Sequence, residues 1–315
     1  MHCPAYFVQN NEWIALVAEG LANGFLYALI AIGYTLVYGV LRLINFAHSE
    51  VFMMGGFGAY FALHAALGDS TPSGALALGW IVVGLAAGGL AGGATAYSLE
   101  RVAYRPLRRR NAPKFTYLIA AIGASLFLQN IAGKEFGRQG VFIPEPKLVN
   151  GNAFYLCGAP VQQIWILVII VSILMLIFAD TVVNRTKLGR GIRAVAQDGE
   201  VASLMGVNID RTIATTFILG GILGGAAGCL WGMQYQVGYQ MGFVPGLKGF
   251  TAAVLGGIGN LRGAMLGGII LGLVESIPVK WISTSWEDVI SFGVLVVVLM
   301  FRPTGILGER LGRVA

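Results

Sequence analysis

Apolar residues in this chain run in long blocks. Six windows, 20–41, 51–68, 70–99, 115–133, 148–179 and 212–247, contain no Asp, Glu, Lys or Arg. A charge at mid-bilayer costs roughly 2.5–3.5 kcal/mol on insertion scales, so charge-free windows of about 18 or more residues are transmembrane candidates. About eight hydrophobic segments can be marked, at 14–41, 46–66, 74–99, 115–132, 163–183, 212–236, 250–274 and 287–301. They predict an all-α polytopic membrane protein, read as a single transmembrane domain over 1–315. One interruption differs from the rest. Residues 184–212 read NRTKLGRGIRAVAQDGEVASLMGVNIDRT, a basic, polar stretch with a short helix-like run from Glu200 to Gly206.

Composition supports the membrane class. The chain is 56% hydrophobic and only 11% charged, where soluble domains carry about 25% charged residues. The net charge of +6 reads as a topology signal and not as a nucleic-acid signal, because Lys and Arg concentrate in a few loops. Arg101, Arg105, Arg108, Arg109, Arg110 and Lys114 fill one loop, 184–212 holds the next, and Arg302, Arg310 and Arg313 follow the last segment. All three regions should be cytoplasmic, with the carboxyl terminus inside and the amino terminus outside. The first segment lacks a basic n-region and exceeds an h-region in length, so it reads as a retained span. The 67–73 turn and the 133–162 loop, with Pro144 and Pro146, read as external. Cys3, Cys157 and Cys229 form no metal spacing.

This orientation requires 250–282 to begin and end outside. Gly256, Gly257, Gly259, Asn260 and Gly263 stand in its middle and predict a re-entrant or broken helix near 256–263. Irregular backbone at membrane depth needs protein or a water-filled cavity to cover it. A second break is expected at Asn45, a candidate N-cap, placed below the membrane surface by the length of the first segment. His48 and Glu50 follow it. Ionisable groups beside membrane segments are functional candidates, so Asn45, His48, Glu50, Gly256, Gly257 and Asn260 are candidates to line a translocation path. Gly220, Gly224, Gly228 and Gly232 recur every four residues, with Gly221 and Gly225 beside them, and Gly84, Gly88 and Gly92 repeat the pattern. Small-xxx-small stripes let helix backbones approach closely.

The sequence holds no GxxxxGK[ST], HExxH or GxSxG. Acidic residues are almost missing from the spans, which argues against a proton- or sodium-coupled carrier. A pump of this composition would draw its energy from another polypeptide. A secondary transporter or channel working alone is the first rival, and an intramembrane enzyme, lacking a nucleophile–base pair, the second.

The Glu200–Gly206 run has the spacing E-x-A-x-x-x-G and resembles the EAA loop of bacterial ABC importer permeases. Residues 20–57, ERVAYRPLRRR (100–110), FTAAVLGGIGNLRGAMLGGIILGLVES (250–276) and RPTGILG (302–308) are similar to the permease of branched-chain amino-acid ABC importers, specifically the shorter member of the usual permease pair. Val201 replaces the first Ala of the loop motif, Ser49 stands where Gly is common, and 136–160 is the least family-like stretch. The resemblance implies a bacterial inner-membrane transport subunit and not an enzyme. Its partners would be a second homologous permease, two ATPase subunits and a periplasmic substrate-binding protein. ATP and Mg would sit on the ATPases, with no cofactor on this chain. Asp198, Glu200, Ala202 and Gly206 become the candidate ATPase-coupling residues, with Ala202 and Gly206 on one face to admit the partner. Urea and short-chain amide importers have closely similar permeases, so those substrates stay open.

Overall fold

The computed structural model describes residues 12–68, 75–143, 149, 151–156, 159–281, 283–302 and 304–308. Most of the 67–73 turn, Pro144 to Lys147, Cys3, Cys157, Arg310 and Arg313 lie outside the described residues. The chain is almost wholly helical. The helices are α1 (Glu12–Leu41), α2 (His48–Leu67), α3 (Ala75–Leu99), α4 (Arg105–Arg109), α5 (Lys114–Glu135), α6 (Gln163–Arg185), α7 (Lys187–Gln197), α8 (Gly199–Leu204), α9 (Ile209–Gln234), α10 (Phe243–Gly256), α11 (Leu261–Ser276) and α12 (Glu287–Phe301). A π-helical turn, Glu100–Tyr104, joins α3 to α4 as one continuous rod. Among the described residues six helices are long and apolar enough to cross a membrane, and α10 is a shorter apolar helix.

Helix α9 is the axis of the bundle, packing on α1, α2 and α3. Its glycines divide among three neighbouring helices. Gly220 faces Gly33 of α1, while Gly224 faces His48 and Gly228 faces Phe52 of α2; Gly221 and Gly225 lie against Gly92 and Gly88 of α3. A Cβ built on Gly221 would sit 2.6 Å from the carbonyl oxygen of Gly92, so a larger residue would force these helices apart. In lipid, where the hydrophobic effect does not drive helices together, such close approach is a main source of association. The most deeply buried large side chains, including Tyr27, Phe52, Phe57, Phe217 and Leu223, surround these contacts.

Helices α10 and α11 form an antiparallel hairpin, with Gly256 against Gly263 and Ala252 against Gly267. Gly272, Gly268 and their neighbours on α11 meet Gly20, Gly24 and Ala28 of α1. The 257–260 turn therefore lies at the same end as Leu41. The same end collects α7, where Arg42 donates to the carbonyls of Ala196 (3.1 Å) and Gln197 (3.3 Å), and an Arg262–Asp180 pair at 3.7 Å. The predicted break is thus a turn between the short apolar helix α10 and α11, which with the turn that follows it is long enough to span.

Two features go beyond the sequence reading. The 184–212 segment forms two helices, α7 and α8, where a single short run was expected. The external-loop stretch contains an antiparallel β-hairpin, β1 (Asn152–Leu156) with β2 (Ala159–Gln162), pairing Tyr155 with Pro160 and Leu156 with Ala159.

Candidate functional site

Chain reversal after Leu41 creates the main site. The chain runs back along α1, so that the His48 ring lies 4.9 Å from that of Tyr34. Seven residues of helix separate Tyr34 from Leu41, so α2 begins about 10 Å inside the end of α1. Asn45 does not serve as the expected N-cap. Helix α2 starts at His48 with Ala47 in the cap position. The Asn45 Oδ1 instead accepts from the Ala47 amide (3.1 Å) and the Tyr104 hydroxyl (2.6 Å), tying the turn to the π-helical segment.

Beside this turn opens a cavity of about 670 Å³. Its walls come from α1 (Tyr34), the α2 entry (Phe46, Ser49), α5 (Ile122, Ser125, Leu126, Gln129), Gln240 just before α10, and the first turns of α10 (Phe243, Val244, Leu247). Behind the wall sits Glu50, 1% exposed. Its Oε1 accepts from the hydroxyl of Ser125 (3.2 Å) and lies 3.4 Å from that of Ser49, which donates to the Phe46 carbonyl (2.7 Å); both serines line the cavity. Its Oε2 has no hydrogen-bond partner, and neither has His48 Nε2. Glu50 Oε2 lies beside Gly242, the cap residue of α10, where an added Cβ would be 3.1 Å away. The start of a helix carries partial positive charge that favours a carboxylate there.

The other path candidates lie elsewhere. Gly256, Gly257 and Asn260 are not in the cavity wall. Asn260 caps α11, accepting from the amides of Arg262 (3.1 Å) and Gly263 (3.2 Å). The carboxyl-terminal segment covers the turn. The amides of Ile306 and Leu307 donate to the carbonyls of Leu255 (2.8 Å) and Gly256 (3.0 Å), and Asn260 Nδ2 donates to the Leu307 carbonyl (2.9 Å). Gly257, at φ +108°, leaves no room for a side chain against Gly308.

At the basic end, Asp198 caps α8 through the amides of Glu200 (2.9 Å) and Val201 (3.1 Å). Ala202 does not share an outward face with Gly206. It is 4% exposed, packed inward, while Gly206 follows the helix in the left-handed region at φ +83° and reverses the chain. The side chains presented outward are Val201, Leu204 (86% exposed) and Met205 (81% exposed). This knob is anchored to the next region, since Asp210 at the start of α9 pairs with Arg105 (2.7 Å) and Arg108 (2.6 Å) of α4.

Sequence reading passed over one buried cluster. Lys248 of α10 pairs with Glu275 of α11 (2.6 Å) and Asp288 of α12 (2.7 Å). Glu275 also accepts from Tyr27 (3.3 Å) and Ser291 (3.2 Å). The signal was available: Lys248 and Glu275 are charged residues bordering apolar windows, and such groups are rare and paired inside membranes.

A glycine-packed bundle of membrane-length helices with a cavity beside a re-entering turn is a multi-pass membrane protein. Residues 16–299 match the family model described as the permease component of the branched-chain amino acid transport system, and the chain belongs to that family. It is 41% identical over 313 residues to the high-affinity branched-chain amino acid transport system permease protein LivH of Escherichia coli K12, covering 96% of each chain. It is 43% identical over 306 residues to the corresponding protein BraD of Pseudomonas aeruginosa, covering 95% of this chain and 96% of that one. The solved structure of PsaBC from Streptococcus pneumoniae in complex with Fab aligns over 95% of this chain at 12% identity and TM-score 0.47. The chain is therefore an ABC-family permease, a transport subunit.

Proposed function

We propose that this chain is the shorter permease of a heteromeric ABC importer that moves branched-chain amino acids across the bacterial inner membrane. The observation that carries this reading is the identity of 41% and 43% to permeases named for that transport, over nearly their whole lengths. The cavity fits the cargo. Ile122, Leu126, Phe243, Val244 and Leu247 suit an aliphatic side chain. Ser125 donates to Glu50 and Ser49 to the Phe46 carbonyl, which leaves their oxygen lone pairs for an ammonium group. A second homologous permease would close the open side. Gln129 and Gln240 on the same wall suit amide recognition and keep urea or a short-chain amide as the second reading.

Two ATPase subunits holding ATP and Mg would drive the cycle, and a periplasmic binding protein would deliver the substrate. The chain itself would hold no cofactor. Loop 184–212 would lie in the cytoplasm with the carboxyl terminus, and the amino terminus outside. In this reading α8 is the docking helix. Asp198 and Gly206 fix its two ends, Glu200 lies on its first turn, Ala202 seats it on the permease, and Val201, Leu204 and Met205 enter the ATPase. Burying two such side chains contributes about 1.5–3 kcal/mol each. Leu204→Asp with Met205→Asp should reduce ATPase binding at least tenfold and abolish stimulated hydrolysis, with the permease still folded. Unchanged ATPase stimulation would remove the docking role.

The test of the whole reading is reconstitution of the permease pair, ATPases and binding protein in liposomes. ATP-dependent uptake of leucine, isoleucine or valine is expected. Uptake of urea or acetamide without competition by leucine would favour the second reading. Uptake driven by an ion gradient without the ATPases would make the chain a secondary transporter.

A further inference from the structure

A second cavity, of about 430 Å³, lies at the junction of α3 and α4, lined by Arg101, Arg105, Pro106, Arg109 and Arg110. Four of the five lining residues are arginines. Arg105 is paired with Asp210 at 2.7 Å, and Arg109 reaches the same carboxylate at 3.4 Å. Arg101 and Arg110 have no acidic partner among the described residues. Two carboxylates lie nearby, Asp210 and Glu100, and both also pair with Arg108 (2.6 and 2.9 Å), so the five arginines hold more positive charge than the two acids offset.

Its position along the rod selects the ligand. The continuous helix from Leu76 to Arg109 is 34 residues long, about 50 Å at 1.5 Å per residue. The hydrocarbon core is about 30 Å thick, so the end of this rod must project into the headgroup layer. The outer face of the rod is apolar up to the cavity, with Leu76, Val82, Leu90, Tyr97 and Val102 all exposed. An exposed Tyr and Arg residues at the end of an apolar face mark the membrane–water boundary. The cavity adjoins an apolar surface that acyl chains would cover.

We propose that this cavity binds the phosphate headgroup of an anionic phospholipid. Arg101 and Arg110 supply the guanidinium donors, whose planar fork matches phosphate oxygens bidentately. Arg105 and Arg109, held by Asp210, complete the positive wall. Basic pockets at helix ends collect acidic lipids for this reason. Through Asp210 the occupied site would brace the start of α9 next to α8. It is independent of the transported substrate.

The test uses the assembled transporter in nanodiscs of phosphatidylcholine doped with phosphatidylglycerol or cardiolipin, with co-purified lipid measured by mass spectrometry. The wild type should retain anionic lipid selectively. The double variant Arg101→Ala, Arg110→Ala should retain about tenfold less, as expected for losing charge-assisted contacts to one phosphate. Arg101→Lys with Arg110→Lys should restore part of the retention, and Arg138→Ala, at the other end of the molecule, should change nothing. A melting curve matching the wild type shows that the double variant is folded; a misfolded one is replaced by the Lys pair, whose retention should fall between the two. Equal retention by wild type and double variant would overturn the proposal. Binding of soluble glycerol phosphate as tight as that of the lipid would assign the site to a free phosphate instead. Selective retention by the permease pair alone but not by the assembled transporter would overturn the proposal and assign the arginines to a protein partner.

Discussion

The molecule breaks its helices in two places, and the two breaks end differently. At 257–260 the last carbonyls of α10 and the side chain of Asn260 all have partners in the chain. Asn260 takes the first amides of α11, and the amides of Ile306 and Leu307 take the last carbonyls of α10. At 42–47 the turn is also hydrogen-bonded, but the residues it delivers are not all satisfied. Glu50 Oε2 and His48 Nε2 are buried without partners, and a 670 Å³ cavity opens beside them. Both breaks look alike as glycine- or asparagine-marked interruptions. Buried polar groups in native proteins are nearly always hydrogen-bonded, so the break with unspent groups is the one disposed towards a ligand.

Helix α10 joins the two breaks, starting at the cavity wall and ending at the sealed turn, and Lys248 holds it in place. Lys248→Ala would leave Glu275, 5% exposed, as an uncompensated buried charge. Breaking such a pair costs about 3–5 kcal/mol. The expected result is a large drop in thermal stability in detergent and loss of uptake with it. Lys248→Met with Glu275→Leu should recover most of the stability, because apolar replacement of a whole buried pair is often neutral. If Lys248→Ala left stability intact, the two breaks would not be mechanically coupled through α10.

Glu50→Gln separates the breaks more finely. The amide keeps the shape of the side chain but removes the carboxylate that accepts from Ser125. Hydrogen bonds to charged groups contribute about 1.5–3 kcal/mol, so uptake should fall by about tenfold or more. Thermal stability should change little, since Glu50 leaves one oxygen unpaired in the resting protein. A loss of stability with normal uptake per folded molecule would reverse the comparison and make the first break structural.

Much of this was legible in the sequence, for physical reasons that also mark the limits. Charge-free windows located the long helices because bilayer thickness imposes a length. The four-residue glycine spacing of α9 was visible, but not that Gly221 and Gly225 serve a different neighbour from Gly220 and Gly224, because helix periodicity names faces without naming partners. The break at 256–263 was visible; its closure by residues 304–308 was not, since contacts across some fifty residues leave no local pattern. Asn45 misled as a cap because its acceptor is used by Tyr104, a residue sixty positions away. Ala202 misled because a small residue permits close approach on either side of a helix, towards a partner or towards the chain itself. The cavity residues Ser125, Gln129 and Gln240 carry no motif at all. Tertiary placement alone brings them together.

The smallest effects form a matched pair that tests the comparison directly. Asn260→Ala removes the α11 cap and the bond to the Leu307 carbonyl, and a lost N-cap costs about 1 kcal/mol. Stability should fall by about that amount, with uptake per folded molecule unchanged. Ser125→Ala removes one hydroxyl from the cavity wall and one hydrogen bond to Glu50, worth about 1 kcal/mol. Uptake should fall about fivefold at low substrate concentration, with less effect at saturation, and the melting temperature should hold. The two changes are similar in energy but should appear in opposite columns, one in the melting curve and one in the transport assay. If both appeared in the melting curve alone, an unpaired buried group would mark strain at the first break and not a site. If Asn260→Ala lowered uptake without lowering stability, the sealed turn would itself be part of the moving path, with residues 304–308 as its removable cover.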